Sequence, residues 1–143
     1  MAKATATELF TCSVSEFFKI IADYEKYPEF LSEVSGIKVL ETSGNKKLVE
    51  YTVSLLKTFR YNLWLTADEP NSIIWDFAGG DMFKTLSGSW ILKDEAGKAR
   101  ATYSVEASFK GFVPGPIAKG LIEVNLPSMM SSYHKRVKQL YGR

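Results

Sequence analysis

Residues 101 to 109 alternate without a break: Ala101, Tyr103, Val105, Ala107 and Phe109 are apolar or aromatic, and Thr102, Ser104, Glu106 and Ser108 stand between them. A period of two puts one set on each side of an extended chain, so this run reads as a strand with one buried and one wet face. The same pattern recurs upstream in Val49, Tyr51, Val53 and Leu55, in Phe59, Tyr61, Leu63 and Leu65, in Ile73, Trp75 and Phe77, and in Leu86, Trp90 and Leu92. Gly44-Asn45, Glu69-Pro70-Asn71 and Ala96-Gly97 supply turns between the runs, and Gly79-Gly80 reads as a break. Strands joined by short turns pair as consecutive hairpins, which predicts an antiparallel sheet with one solvated face.

Helical signals lie at both ends. Ser13 and Glu16 have the spacing of a capping box, and Phe17, Phe18, Ile20 and Ile21 follow as an apolar stripe that stops near Asp23. Before them, the Thr-rich stretch Ala4 to Cys12 suits a first strand whose inward face the pattern leaves open. Tyr27-Pro28 predicts a second short helix with Pro28 at its first position, turning Phe30, Leu31 and Val34 inward. Past Gly36, Ile37 and Val39 begin the strand run. Gly111 to Pro116 predicts a loop, and from Ile117 to Tyr141 the stripe Ile122, Leu126, Met129 or Met130, Tyr133, Val137 and Leu140 predicts a long helix. Pro127 within it predicts a kink or a break, with Asn125 as a cap.

A helix is about 10 Å across and strands lie nearly 5 Å apart, so one helix cannot cover six or seven flat strands. The sheet has to curl around it. The expectation is one α+β domain over residues 1–143: a helix-grip fold, with a curved antiparallel sheet of six to seven strands around the C-terminal helix and two short N-terminal helices closing one end.

Composition narrows the function. Lys and Arg number 18 against 16 Asp and Glu, with the signs interspersed, which speaks against DNA or other nucleic acid as a first partner. The single Cys12 excludes an intrachain disulfide and a multi-cysteine metal site, and it suits a reducing compartment, the cytoplasm. No stretch is long or apolar enough to cross a bilayer, and the first ten residues lack a signal peptide's apolar core.

The order of elements resembles the START-like, birch-pollen-allergen-like (SRPBCC) superfamily. The stretch Ala22-Asp23-Tyr24-Glu25-Lys26-Tyr27-Pro28-Glu29-Phe30-Leu31 is similar to the segment that marks its polyketide cyclase and coenzyme-Q-binding branch. Phe83, Leu86, Gly88 and Trp90 match a second pattern of the same branch. What the resemblance implies is a hydrophobic cavity for a lipid, quinone, isoprenoid or polyketide-like molecule. The superfamily also holds cyclases or aromatases and a ribosome-associated toxin group, and fold alone does not choose among them.

Nine residues are the candidate ligand contacts: Phe30, Tyr51, Tyr61, Trp75, Tyr103, Phe109, Phe112, Leu121 and Met129. Each could instead be ordinary packing, but Tyr51, Tyr61 and Tyr103 each bring a hydroxyl that must find a partner if buried, and a quinone or polyketide carbonyl is one. The inward strand rows carry no Asp, Glu, His or Lys, which favours binding without catalysis and leaves tyrosine as the sole acid–base candidate there. No catalytic residue, metal ligand or cofactor is assigned. His134 reads as a solvated helix position and Cys12 as a small packed hydrophobe. Phe112 and Val113, between Gly111 and Gly115, suit a gate over the cavity, and the flanking Lys110 and Lys119 suit transient contact with an anionic membrane surface. Lys135, Arg136, Lys138 and Arg143 suit the negative end of the helix.

Overall fold

In the computed structural model, which describes residues 2–55 and 57–142, seven strands form one antiparallel sheet. The strands are β1 (Ala2–Phe10), β2 (Val34–Ser43), β3 (Lys46–Leu55), β4 (Lys57–Asp68), β5 (Ser72–Gly80), β6 (Phe83–Glu95) and β7 (Lys98–Phe109). Their order is β1-β7-β6-β5-β4-β3-β2, so five of the six pairings join consecutive hairpin strands and only β1 crosses over. The helix-grip expectation holds, with seven strands at the upper end of the expected range.

Alternation settles which face is covered. Val49, Tyr51 and Val53 on β3, Phe59, Leu63 and Leu65 on β4, Ile73 and Trp75 on β5, and Ala101, Val105 and Ala107 on β7 are all buried. The open question on β1 is also settled: Ala2, Ala4, Ala6 and Phe10 turn inward while Lys3, Thr5 and Thr7 are exposed.

The sheet bends where its pairing is interrupted. β5 and β6 stay in register only from Ser72–Ile91 to Trp75–Gly88, after which β5 continues against β4 alone and β6 against β7 alone. Gly79 and Gly80, read from sequence as a break, remain within β5 and pair with Asn62 and Tyr61 across a bulge. At φ +138°, a Cβ on Gly80 would collide with the Tyr61 Cα and lie 2.7 Å from the Arg60 carbonyl oxygen, so the bulge needs glycine there.

Helix α1 (Val14–Ala22) begins with the expected capping box: the Ser13 hydroxyl accepts from the Glu16 N–H, and the Glu16 carboxylate accepts from the Ser13 N–H at 2.9 Å. Tyr24–Glu29 is a 3-10 helix with Pro28 near its end, not at its start, so the second helix begins earlier than the proline suggested. Leu31 and Val34 are buried beyond it, Val34 already in β2.

The C-terminal helical stretch comes in three pieces: α2 (Gly115–Lys119), a π-turn (Gly120–Val124) and α3 (Leu126–Tyr141). Gly115 and Pro116, expected in the loop, open α2. Pro127 sits in the first two positions of α3, where its missing N–H deprives the helix of nothing. The expected interruption is therefore a widened turn just before the proline. Asn125 stands at the cap position but makes no side-chain cap bond. Buried Leu126, Met130, Tyr133 and Val137 form the inner stripe of α3, while Leu140 is exposed, contrary to expectation.

Candidate functional site

Between the concave face of the sheet and the π-turn and α3 lies a cavity of about 140 Å³. Its walls come from Leu31, from Val34 at the start of β2, from inward rows of β3 to β7, and from Leu121, Ile122 and Leu126 on the helical side. A dry engineered cavity of about 150 Å³ binds benzene, so this space matches roughly one aromatic ring.

Of the nine residues singled out from sequence, Tyr51, Tyr61, Trp75, Tyr103, Leu121 and Met129 line this cavity. Phe30, Phe109 and Phe112 do not. Phe30 packs on the other side of Tyr133, under the Arg136 guanidinium 5.0 Å from its ring centre. Phe109 stacks against Phe83 at 5.3 Å at the sheet margin. Phe112 is 91% exposed on the loop before α2. A period-two row marks Phe109 as inward, but the end of a bent sheet lies beyond the cavity that the row lines.

The aromatic walls touch one another. Tyr51 stacks on Tyr61 at 5.2 Å, Tyr61 meets Phe83 edge-on at 5.3 Å, and Trp90 lies 5.0 Å from Tyr103 and 5.2 Å from Tyr133. Gly88 leaves room for the Trp75 indole, since a Cβ there would come within 2.6 Å of the ring. The second matched pattern thus has a physical content. Phe83 and Leu86 fill, Gly88 yields to Trp75, and Trp90 joins α1, through Phe17, to Tyr133 on α3.

Polar groups are few and concentrated. The Tyr27 hydroxyl donates to the Ile21 carbonyl, with the Tyr133 hydroxyl beside it. Tyr51, Tyr61 and Tyr103 donate to no described residue, yet every fully buried side-chain nitrogen or oxygen among the described residues has a partner. All three side chains line the cavity. Burial raises the pKa of Tyr27, Tyr51 and Tyr133 well above the ordinary phenol range, and raises those of Tyr61 and Tyr103 too. These five remain neutral hydroxyls at physiological pH.

Sequence reasoning missed one charged group. Glu33, half-buried between the 3-10 helix and β2, lines the cavity, and its negative charge adds to the upward shift of Tyr61, Tyr103 and Tyr133. Asn125 also lines it, and its Nδ2 donates to Glu33 Oε2 at 2.8 Å. The absence of acid on the strand rows is correct for the strands, but the carboxylate enters from a connection that has no period to read.

His134 is likewise not simply solvated: its Nε2 lies 2.8 Å from Glu8 Oε1, and its ring rests 4.3 Å from Phe10, which ties α3 to β1. Arg136 bonds Glu29 at 2.9 Å, and Lys138 stands in the last turn of α3; Arg143 lies outside the described residues. Cys12 is buried. Among the described residues no cluster of His, Cys, Asp or Glu could hold a metal, and no helix is long and apolar enough to cross a membrane.

Three likenesses complete the picture. The chain is 33% identical to the ribosome association toxin RatA of Vibrio cholerae over 99% of both chains. Its fold superposes on a START superfamily protein from Mycobacterium smegmatis with a TM-score of 0.86, at 20% identity, covering 96% of this chain and 98% of that one. It also matches a STAR-related lipid transfer protein fragment from Xanthomonas axonopodis with a TM-score of 0.79, at 12% identity, over 95% and 85% of the two chains. Residues 11–132 fit the family described as polyketide cyclase/dehydrase and lipid transport, and the chain, with its bent sheet gripping α3, belongs to that family.

Proposed function

We propose that this chain binds an apolar small molecule in the space between sheet and α3 and holds it without transforming it. The observation that carries this reading is an interior of about 140 Å³ with mostly apolar walls, lined also by Tyr51, Tyr61 and Tyr103, which bring hydroxyls to an otherwise apolar surface. Apolar walls supply affinity and a few fixed polar groups set orientation, the usual division of labour in such sites. Tyr51, Tyr61, Trp75, Tyr103, Leu121 and Met129 are the contacts. A ring-sized group fits as the cavity stands, whereas a whole lipid, isoprenoid or polyketide needs the π-turn and α3 to move outward.

Native mass spectrometry of protein purified from its own host, followed by solvent extraction, tests the reading. A bound organic molecule is expected. Protein that emerges empty, and that takes up no small aromatic on titration, would remove it.

The full-length likeness to a protein named for ribosome association favours a second reading, contact with the ribosome. It predicts co-sedimentation with ribosomal particles from the host. A protein confined to the soluble fraction at low salt would exclude it. Exposed Phe112, Ile117 and Val124, with Lys119 beside them, suit a third contact, transient binding to anionic bilayers, which vesicle flotation would report.

A further inference from the structure

Glu33 stands in an arrangement that apolar binding alone does not require. Its neighbours Leu31 and Val34 are buried cavity wall, so the carboxylate is carried to the same space by the turn that leaves the 3-10 helix. One oxygen, Oε2, is held by the Asn125 amide at 2.8 Å, a bond within the cavity lining between residues 92 positions apart in sequence. The other oxygen accepts from no described side chain, and no Lys, Arg or His among the described residues pairs with Glu33. An ionised carboxylate is an acceptor only, so its second oxygen can take a donor but offer none. The tyrosines around it can donate or accept.

Resting on the cavity reading above, we propose that Glu33, steadied by Asn125, receives a donor hydroxyl of the bound molecule. The ligand class is then a ring of about benzene size bearing a phenolic or enolic O–H. Such an O–H meets the free carboxylate oxygen in a charge-assisted bond, while the ring stacks among Tyr51, Tyr61 and Trp75 and its oxygen lone pairs remain open to a tyrosine hydroxyl. A ring carrying only carbonyl acceptors would set lone pair against lone pair at Glu33. The cavity thus distinguishes molecules of one size by whether their polar edge donates.

Calorimetric titration of the full chain with phenol and with anisole at neutral pH tests this. Both probes are single rings, and only phenol donates. The wild-type chain is expected to bind phenol about tenfold more tightly, the usual scale of one hydrogen bond to a charged group. In Glu33→Gln the phenol-to-anisole ratio is expected to fall toward one, and in Asn125→Ala, which keeps the carboxylate but removes its anchor, to fall part of the way. Equal binding of the two probes by the wild type, or an unchanged ratio in Glu33→Gln, overturns the inference and leaves the cavity reading standing. Failure of both probes to bind overturns the two together. The wild-type comparison decides the matter even if a variant does not fold.

Discussion

At the scale of single residues, the site is defined by what glycine omits as much as by what tyrosine adds. Gly88 lies under the Trp75 indole and against the Ser104 carbonyl, so Gly88→Ala is expected to destabilise the fold by about 1–3 kcal/mol, the range for forcing a methyl into a filled core. Urea unfolding measures it, and an unchanged midpoint would show that the indole has room to move. The tyrosines give a pH prediction. Their folded pKa values lie above the unfolded value, Tyr24 at about 12 and the five cavity tyrosines raised by burial. The unfolded chain therefore loses these protons first. The stability they contribute is fully present below about pH 10 and is lost as pH climbs from there through the raised values. Tyrosinate absorbance is expected to lag behind that of free tyrosine and then to rise together with loss of structure; a titration that tracks free tyrosine would contradict the burial. The tyrosines were legible in sequence because alternation assigns a face. Glu33 was not, because it sits in a short connection where neither a period of two nor one of 3.6 applies.

At the scale of elements, local signals were most reliable where they were self-contained. The capping box at Ser13 needs only residues within one turn, and it forms as written. Ser13→Ala is expected to cost about 1 kcal/mol, read from the denaturation midpoint. Pro127 shows the opposite case. Seen within a helical stripe, a proline signals damage, yet the chain widens into a π-turn at Gly120–Val124 and restarts so that the proline falls in the first turn of α3. Pro127→Ala is consequently expected to change stability by less than about 1 kcal/mol, whereas a helix-interior proline would give back about 3. A large gain on substitution would mean that the restart is strained. Gly79-Gly80 was misread for a related reason. Two glycines look alike in a turn and in a bulge, and only the pairing of β5 with β4 tells them apart.

At the scale of the whole molecule, the curl of the sheet was predictable from geometry, because one helix cannot cover seven strands. The depth of the resulting cavity was not. Of the three expected contacts that lie outside it, Phe30 and Phe112 sit in connections that carry no strand period, and Phe109 ends β7, in a sheet whose curvature depends on where strands part, as β5 and β6 do after only four register pairs. Occupancy of the cavity is expected to stabilise the entire domain: a ring-sized probe at a hundredfold excess over its Kd contributes about 2.7 kcal/mol. For a chain of this length that is a rise in Tm of about 5–10 °C, and a melting curve indifferent to saturating anisole would rule out binding there.

The order of the strands also sets a timetable. Within the described sheet β1 pairs as a strand with β7 alone, and its Ala2 faces Ala107. During translation, then, the earliest-made strand waits without a neighbour until the latest-made strand has left the exit tunnel, while β2 to β7 can assemble one hairpin after another. Closing that seam therefore comes after the hairpins, and with it α3 meets β1 through His134 and Glu8.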